Sequence, residues 1–182
     1  MNGRTYPISN GRPHYNVNLK AIEVGGAFLQ LPTDLFENGD KKGTIIDSGT
    51  TLSYLPEAAY KPLMNAIFSY QPNLSFHAIQ DFLCFQYTGS VDDGFPNINF
   101  HFENSLSLNV YPHDYLFQNE IPVVSCVLLT GSELNDDVYC VGWQNGGMQS
   151  KDGKDMFLLG AQQISMVKLQ CWSFRECRSV DE

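Results

Sequence analysis

A mostly β chain with one main helix is what this sequence predicts, and three observations carry that expectation. Aromatic residues make up 13% of the 182 residues, with 12 Phe and 9 Tyr, which suits pleated, half-buried surfaces. Apolar and polar residues alternate with period two in several short runs, each bounded by Gly, Pro or Asn-Ser turn signals. Only residues 56–70 carry a sustained helical stripe. The length is that of about one domain, enough to bury a core.

Taken in order, residues 15–24 alternate as a strand pair, with Gly25-Gly26 as the turn. Residues 36–43 form a polar loop that leads into Thr44, Ile45 and Ile46, a β-branched run suited to a strand buried on both faces. Pro56 and Glu57 suit a first helical turn, and Ala59, Tyr60, Leu63, Ile67 and Phe68 lie at helical spacing. Pro62 falls near enough to the start to be tolerated. Ile98, Phe100 and Phe102 alternate with Asn99, His101 and Glu103 as a half-buried strand. Leu106, Leu108 and Val110 repeat the pattern after an Asn-Ser turn. No internal repeat or low-complexity tract is visible.

Charge excludes some partners. The net charge is −9, from 20 acidic and 11 basic residues, which argues against nucleic acid and against anionic membranes. The longest apolar run, 121–129, is too short to cross a bilayer. The first residues, Met1-Asn-Gly-Arg-Thr, lack an apolar segment, so no signal peptide is expected in this chain.

The most informative stretch is Thr44-Ile-Ile-Asp-Ser-Gly-Thr-Thr51. Asp47 ends the apolar strand, and Ser48, Gly49 and Thr50 follow it. Gly49 lets the backbone turn back, while the flanking hydroxyls and amides can hydrogen-bond the carboxylate. A carboxylate at the tip of a rigid strand, ringed by donors, is how an acid–base group is positioned. Taken alone, the same tetrapeptide reads more readily as an Asx-type turn in which Asp47 only caps amides.

Other chemistries find little support. The four histidines, His14, His77, His101 and His113, fall in loops or alternate out of a strand, as solvated surface residues do. Ser48 lacks the G-x-S-x-G setting of a nucleophile elbow. Gly146, Gly147 and Gly153 lack phosphate-cradling spacing, so no cofactor is expected. None of the five cysteines has a C-x-x-C partner or a His at ligand spacing, so no metal is expected either. Cys84 and Cys140 lie in apolar runs, and spacing alone leaves free buried thiols and a disulfide both open. The odd total, with Cys126, Cys171 and Cys177 as the other three, leaves at least one of the five thiols unpaired. Asn73-Leu-Ser75 is an N-glycosylation sequon, a tripeptide that also arises often by chance.

Further motifs give the Asp47 stretch a context: Tyr15-Asn-Val-Asn-Leu19, Ile22-Glu-Val-Gly-Gly26, Leu52 with Tyr54-Leu-Pro56, Phe95-Pro-Asn-Ile-Asn-Phe-His-Phe102, Tyr139-Cys-Val-Gly-Trp143 and Phe157-Leu-Leu-Gly160. In this order they resemble the C-terminal lobe of a bilobal pepsin-like aspartic protease, of the plant nucellin-like or nepenthesin-like branch. The resemblance covers residues 15–160. It implies the acid protease fold, with one main helix after the catalytic loop and incomplete C-terminal strands. Residues 1–14 are then an extension or inter-lobe segment, 121–136 an apparent insertion, and 161–182 an atypical tail. The tail suggests altered splicing, and the strands it lacks would leave exposed sheet edges.

What the resemblance implies for function is an aspartic-type endopeptidase lobe. Asp47 is its catalytic aspartate, and Ser48, Gly49 and Thr50 support the loop. The Thr50 hydroxyl is expected to bond backbone across the lobe interface. Cys84 and Cys140 are implied to be bridged. In such enzymes two aspartates share one proton and a water, and each lobe supplies one D-[TS]-G loop. This chain holds one such loop, at Asp47. A protein or peptide substrate and an N-terminal lobe are therefore the implied partners, and the chain alone is expected to be inactive. Two other readings stand beside this one: a non-catalytic binding or inhibitor-like domain, and a truncated splice product. The resemblance also implies a secreted or vacuolar location.

Overall fold

A computed structural model of the chain describes residues 14–37, 43–47, 49–79, 81–118, 138–146 and 156–160. Thirteen described strands form three sheets, joined by one long helix and a few single turns. The sheet that matters most has the order β1-β4-β13-β5-β12. It contains β1 (His14–Val17), β4 (Gly43–Asp47), β5 (Ser53–Leu55), β12 (Trp143–Asn145) and β13 (Met156–Gly160). β13 lies between β4 and β5, parallel to β4 and antiparallel to β5, so the chain's last described strand fills the centre of the sheet.

A second sheet runs β10-β11-β7-β6, built from β6 (Phe76–Ile79), β7 (Phe82–Gln86), β10 (Leu116–Gln118) and β11 (Val138–Val141). The third, β3-β2-β8-β9, contains β2 (Leu19–Val24), β3 (Ala27–Phe28), β8 (Ile98–Phe102) and β9 (Ser107–Val110). The three sheets and the helix enclose one apolar cluster that includes Ile22, Ile46, Leu55, Leu63, Ile67, Phe85, Phe100, Trp143 and Leu159. Trp143 is at its centre, with the rings of Phe100 and Tyr115 at 5.7 and 6.0 Å. The Tyr115 hydroxyl donates to the Pro96 carbonyl at 2.8 Å, and burial pushes its phenol far above the ordinary range, with Asp92 and Tyr70 adding to the effect.

The helix α1 (Glu57–Phe68) matches its predicted stripe, burying Ala59, Leu63 and Ile67, and also Met64. Glu57 sits in the first turn, where the helix dipole favours a carboxylate, and pairs with Lys61 one turn on. The Lys61 ammonium lowers the Glu57 pKa by hydrogen bonding and by its charge. Pro62 lies inside the helix and withholds an amide from Ala58, yet the helix runs two further turns because its buried face is held by the core.

Several strand expectations hold in residue and differ in partner. Residues 15–24 do form two strands with Gly25-Gly26 turning the chain, both at positive φ. They do not pair with each other. β1 joins β4 in the first sheet, while β2 pairs with β3 and β8 in the third. Local alternation sets which face is buried but not which strand lies alongside. β8 and β9 form the predicted hairpin, whose register centres the connection on Asn104, with Asn104 and Ser105 both in the left-handed region at φ 61° and 59°. Leu106 stands at the hairpin's tip and is exposed, so the inward pattern begins only at Leu108. The loop before β4 starts with a single 3-10 turn (Thr33–Phe36), whose Phe36 ring stacks on Phe157 at 6.3 Å. The apparent insertion, the tail, Cys126, Cys171, Cys177 and residues 1–13 lie outside the described residues.

Candidate active site

β4 buries Thr44 and Ile46 and ends at Asp47. It is paired on both sides, with His14 opposite Asp47 on β1 and Gly160 opposite Asp47 on β13. A carboxylate on a doubly paired strand cannot drift with a loop. The chain then turns sharply. The Gly49 amide donates to Asp47 Oδ1 at 2.9 Å, the Thr50 hydroxyl donates to Oδ2 at 2.7 Å, and the Thr50 amide donates to the Asp47 carbonyl at 3.3 Å. Both carboxylate oxygens are thus held by donors from their own turn, and the half-buried side chain has a fixed orientation.

Within this lobe the Thr50 hydroxyl is turned to its own Asp47, while the expected bond across a lobe interface involves a second lobe. A hydroxyl has one hydrogen to give, and here Asp47 takes it. Ser48 lies outside the described residues.

Two residues not assigned to the site from sequence complete the support. Ser53 is fully buried on β5, and its Oγ accepts the Gly160 amide at 2.8 Å, while its own amide donates to Gly142 at 3.2 Å. The signal was available in principle, because Ser53 occupies an inward position in an inward-outward-inward strand beside Leu55. The second residue is Gly160. A Cβ placed there would fall 2.2 Å from the Leu52 carbonyl oxygen and 2.7 Å from that of Thr50. Only glycine lets β13 pass this close beneath the turn that follows Asp47.

The disulfide implied by resemblance is present. Cys84 on β7 and Cys140 on β11 are direct cross-strand partners, 4.0 Å apart at Cα and 56 residues apart in sequence. Asn73 is exposed in the turn between α1 and β6. His101 lies 2.8 Å from Glu23, and His113 contacts both oxygens of Asp92, at 2.9 and 2.8 Å, so each has a carboxylate partner. Neither of these pairs is in the Asp47 turn. Among the described residues, no group of three or more His, Cys, Asp or Glu could hold a metal, and no helix is long and apolar enough to cross a membrane.

An aspartate presented at a strand end in a D-S-G-T turn, braced from below by a Leu-Leu-Gly strand, is the arrangement of a C-terminal lobe of the pepsin-like fold. The family model described as Xylanase inhibitor C-terminal matches residues 14–170, and the chain belongs to that pepsin-like family. Aspartic proteinase 36 of Arabidopsis thaliana is 45% identical over 158 residues, covering 86% of this chain and 30% of that protein. Aspartic proteinase 39 of the same plant is 39% identical, over 86% of this chain and 29% of its own length. Aspartic proteinase nepenthesin-2 of Nepenthes gracilis is 30% identical, over 87% and 36%. The chain therefore spans about a third of the length of these relatives.

Solved structures agree on the fold. The crystal structure of edgp matches with a TM-score of 0.61 at 19% identity, covering 84% of this chain and 35% of that one. That of Basic 7S globulin from soybean matches with a TM-score of 0.55 at 19% identity, covering 84% and 36%.

Proposed function

We propose that this chain is the C-terminal lobe of an aspartic endopeptidase and that Asp47 is one of its two catalytic carboxylates. The observation that carries the reading is the grip on Asp47, whose two oxygens accept from the Gly49 amide and the Thr50 hydroxyl at the end of a doubly paired strand. The kinship with proteins named aspartic proteinases supports it.

In the proposed reaction a second aspartate, from an N-terminal lobe, faces Asp47 across a water. Like-charge repulsion keeps one proton on the pair. The ionised carboxylate takes a proton from the water as it attacks the scissile carbonyl, and the protonated one hydrogen-bonds the carbonyl oxygen. The peptide C–N bond then breaks, with the leaving amine protonated by the pair. Proton sharing is a property of the two groups together, so the lone chain lacks the chemistry. Ser48, Gly49 and Thr50 keep the carboxylate in place during this exchange. The Cys84–Cys140 bridge supports passage through an oxidising compartment, hence a secreted or vacuolar protein.

Fusing the chain to the N-terminal portion of Aspartic proteinase 36 tests the reading. The fusion should digest denatured protein at about pH 3–5, the range of such carboxylate pairs, while the lone chain shows no turnover. Asp47→Asn should lower activity about 10²- to 10⁴-fold, the scale of lost acid–base catalysis, with an unchanged thermal transition. Near-normal proteolysis in that variant sinks the assignment. Capture of a substrate analogue that persists in an inactive fusion, unaffected by Asp47→Asn, would move the chain to the non-catalytic binding class.

A further inference from the structure

We propose that Asn73 carries an N-linked glycan, and that this glycan covers the outer edge of β6. The proposal rests on the secretory reading above. Sequence offers only the tripeptide Asn73-Leu-Ser75; the structure adds accessibility, a fixed platform and a purpose.

Accessibility comes first. Asn73 and Ser75 are both exposed, so the amide and the hydroxyl that a glycosylating enzyme must reach are open to solvent. The platform is the turn itself. The Leu74 amide donates to the Gln71 carbonyl at 3.3 Å, placing Pro72 and Asn73 at the turn's centre. Gln71 is tied down through its Nε2, which donates to the Gly94 carbonyl at 2.9 Å, and the Leu74 side chain packs against the core. Asn73 thus projects from an anchored corner between α1 and β6. The strand it leads into, β6, belongs to a different sheet from Asp47.

The purpose follows from what lies next to it. β6 is the outermost described strand of its sheet, and Phe76, His77 and Ala78 are all exposed. Phe76 is 37% exposed and Tyr70, just before the turn, 50%. An open strand edge flanked by exposed aromatic rings invites pairing with another chain. Three residues of extended chain separate Asn73 from Phe76, roughly 10 Å. A bulky, hydrated oligosaccharide rooted at Asn73 reaches over that edge and blocks the approach of a second strand.

The chemistry is a glycosyl transfer. Asn73 Nδ2 attacks the anomeric carbon of an oligosaccharide carried on a lipid pyrophosphate. The carbon–oxygen bond to the pyrophosphate breaks, the lipid pyrophosphate leaves with the electron pair, and Nδ2 gives up one proton.

The fusion described above, secreted from plant cells, provides the test. Non-reducing peptide mapping should show Cys84 linked to Cys140. Enzymatic deglycosylation in heavy-oxygen water should convert Asn73 to a labelled Asp in nearly all copies. Asn73→Gln should abolish that label and lower the yield of secreted monomer several-fold, with aggregate in its place. Adding Ala78→Lys, which puts a charge on the exposed strand, to Asn73→Gln should restore the monomer. Linked cysteines with an unmodified Asn73 overturn the glycosylation and leave the secretory reading standing. Free thiols at Cys84 and Cys140 in folded protein overturn both. A fully labelled Asn73 whose loss leaves monomer yield unchanged, or a partner protein found occupying β6, overturns the shielding role.

Discussion

The sheet that carries Asp47 and the sheet that carries the disulfide are held together by opposite means. Around Asp47 the contacts are short and made by small groups: Gly160 under the turn, Ser53 receiving the Gly160 amide, Gly49 and Thr50 on the carboxylate. In the β10-β11-β7-β6 sheet the contacts are large. A covalent bridge links β7 to β11, and Phe85 is surrounded by Phe68, Phe76, Phe95 and Tyr139. The chain crosses from one to the other at Gly142, whose amide donates to Tyr115 and whose carbonyl accepts the Ser53 amide. Small groups define position tightly but bury little area. Aromatic rings and a cross-link contribute stability while tolerating small shifts. One region therefore sets geometry, and the other sets stability.

Removing the bridge tests the second half of that contrast and should have the largest effect on stability. Cys84→Ala with Cys140→Ala frees a long loop in the unfolded chain and should cost about 4 kcal/mol. At this size that lowers Tm by roughly 8–16 °C. Scanning calorimetry reads it directly, and the fusion's kcat well below the transition should be nearly unchanged. A large kcat loss with an intact Tm would reverse the contrast.

Gly160→Ala attacks the geometric half. Its new methyl meets two carbonyl oxygens of the backbone, which cannot rotate away as a side chain would. The expected cost is about 3 kcal/mol, the upper end for overpacking. The sharper readout is kinetic. Because the displaced segment is the turn holding Asp47, kcat of the fusion should fall well beyond what the stability loss explains, with little change in KM.

Ser53→Ala is the gentlest of these changes. It leaves the buried Gly160 amide without its acceptor and should cost about 1–2 kcal/mol by urea unfolding. Ser53→Thr keeps the oxygen and should recover most of that if the extra methyl is accommodated. An effect of Ser53→Ala on kcat larger than that of Gly160→Ala would place the geometric control in the hydrogen bond rather than in the close approach.

The same contrast explains what the sequence made legible. Asp47, Gly49 and Thr50 could be read because a turn's chemistry is local, written in four consecutive residues. The helix stripe and the Asn104-Ser105 hairpin were legible for the same reason. Pairing was not. Nothing within 15–24 says that β1 belongs beside β4 and β2 beside β8, because those choices are made by residues far along the chain. Cys84 and Cys140 were paired only through resemblance, since spacing left free thiols equally open. Gly160 was noticed as part of a Leu-Leu-Gly motif, but its reason, a backbone passing under Thr50 and Leu52, exists only in three dimensions. Ser53 was missed because a buried serine in a strand looks like any polar residue until its acceptor role is seen. For Thr50 the local partner, Asp47 three residues back, was not foreseen, because the resemblance directed attention to the other lobe.

The place of β13 has a consequence for synthesis. Asp47 emerges from the ribosome well before its central neighbour, which begins at Met156, 109 residues later by the difference of those positions. At about 5–20 residues per second that delay is roughly 5–20 s. During this wait β4 and β5 lack the strand that sits between them, and the turn after Asp47 has no floor. The turn after Asp47 is therefore the last part of the described fold to receive its support, because that support arrives with β13.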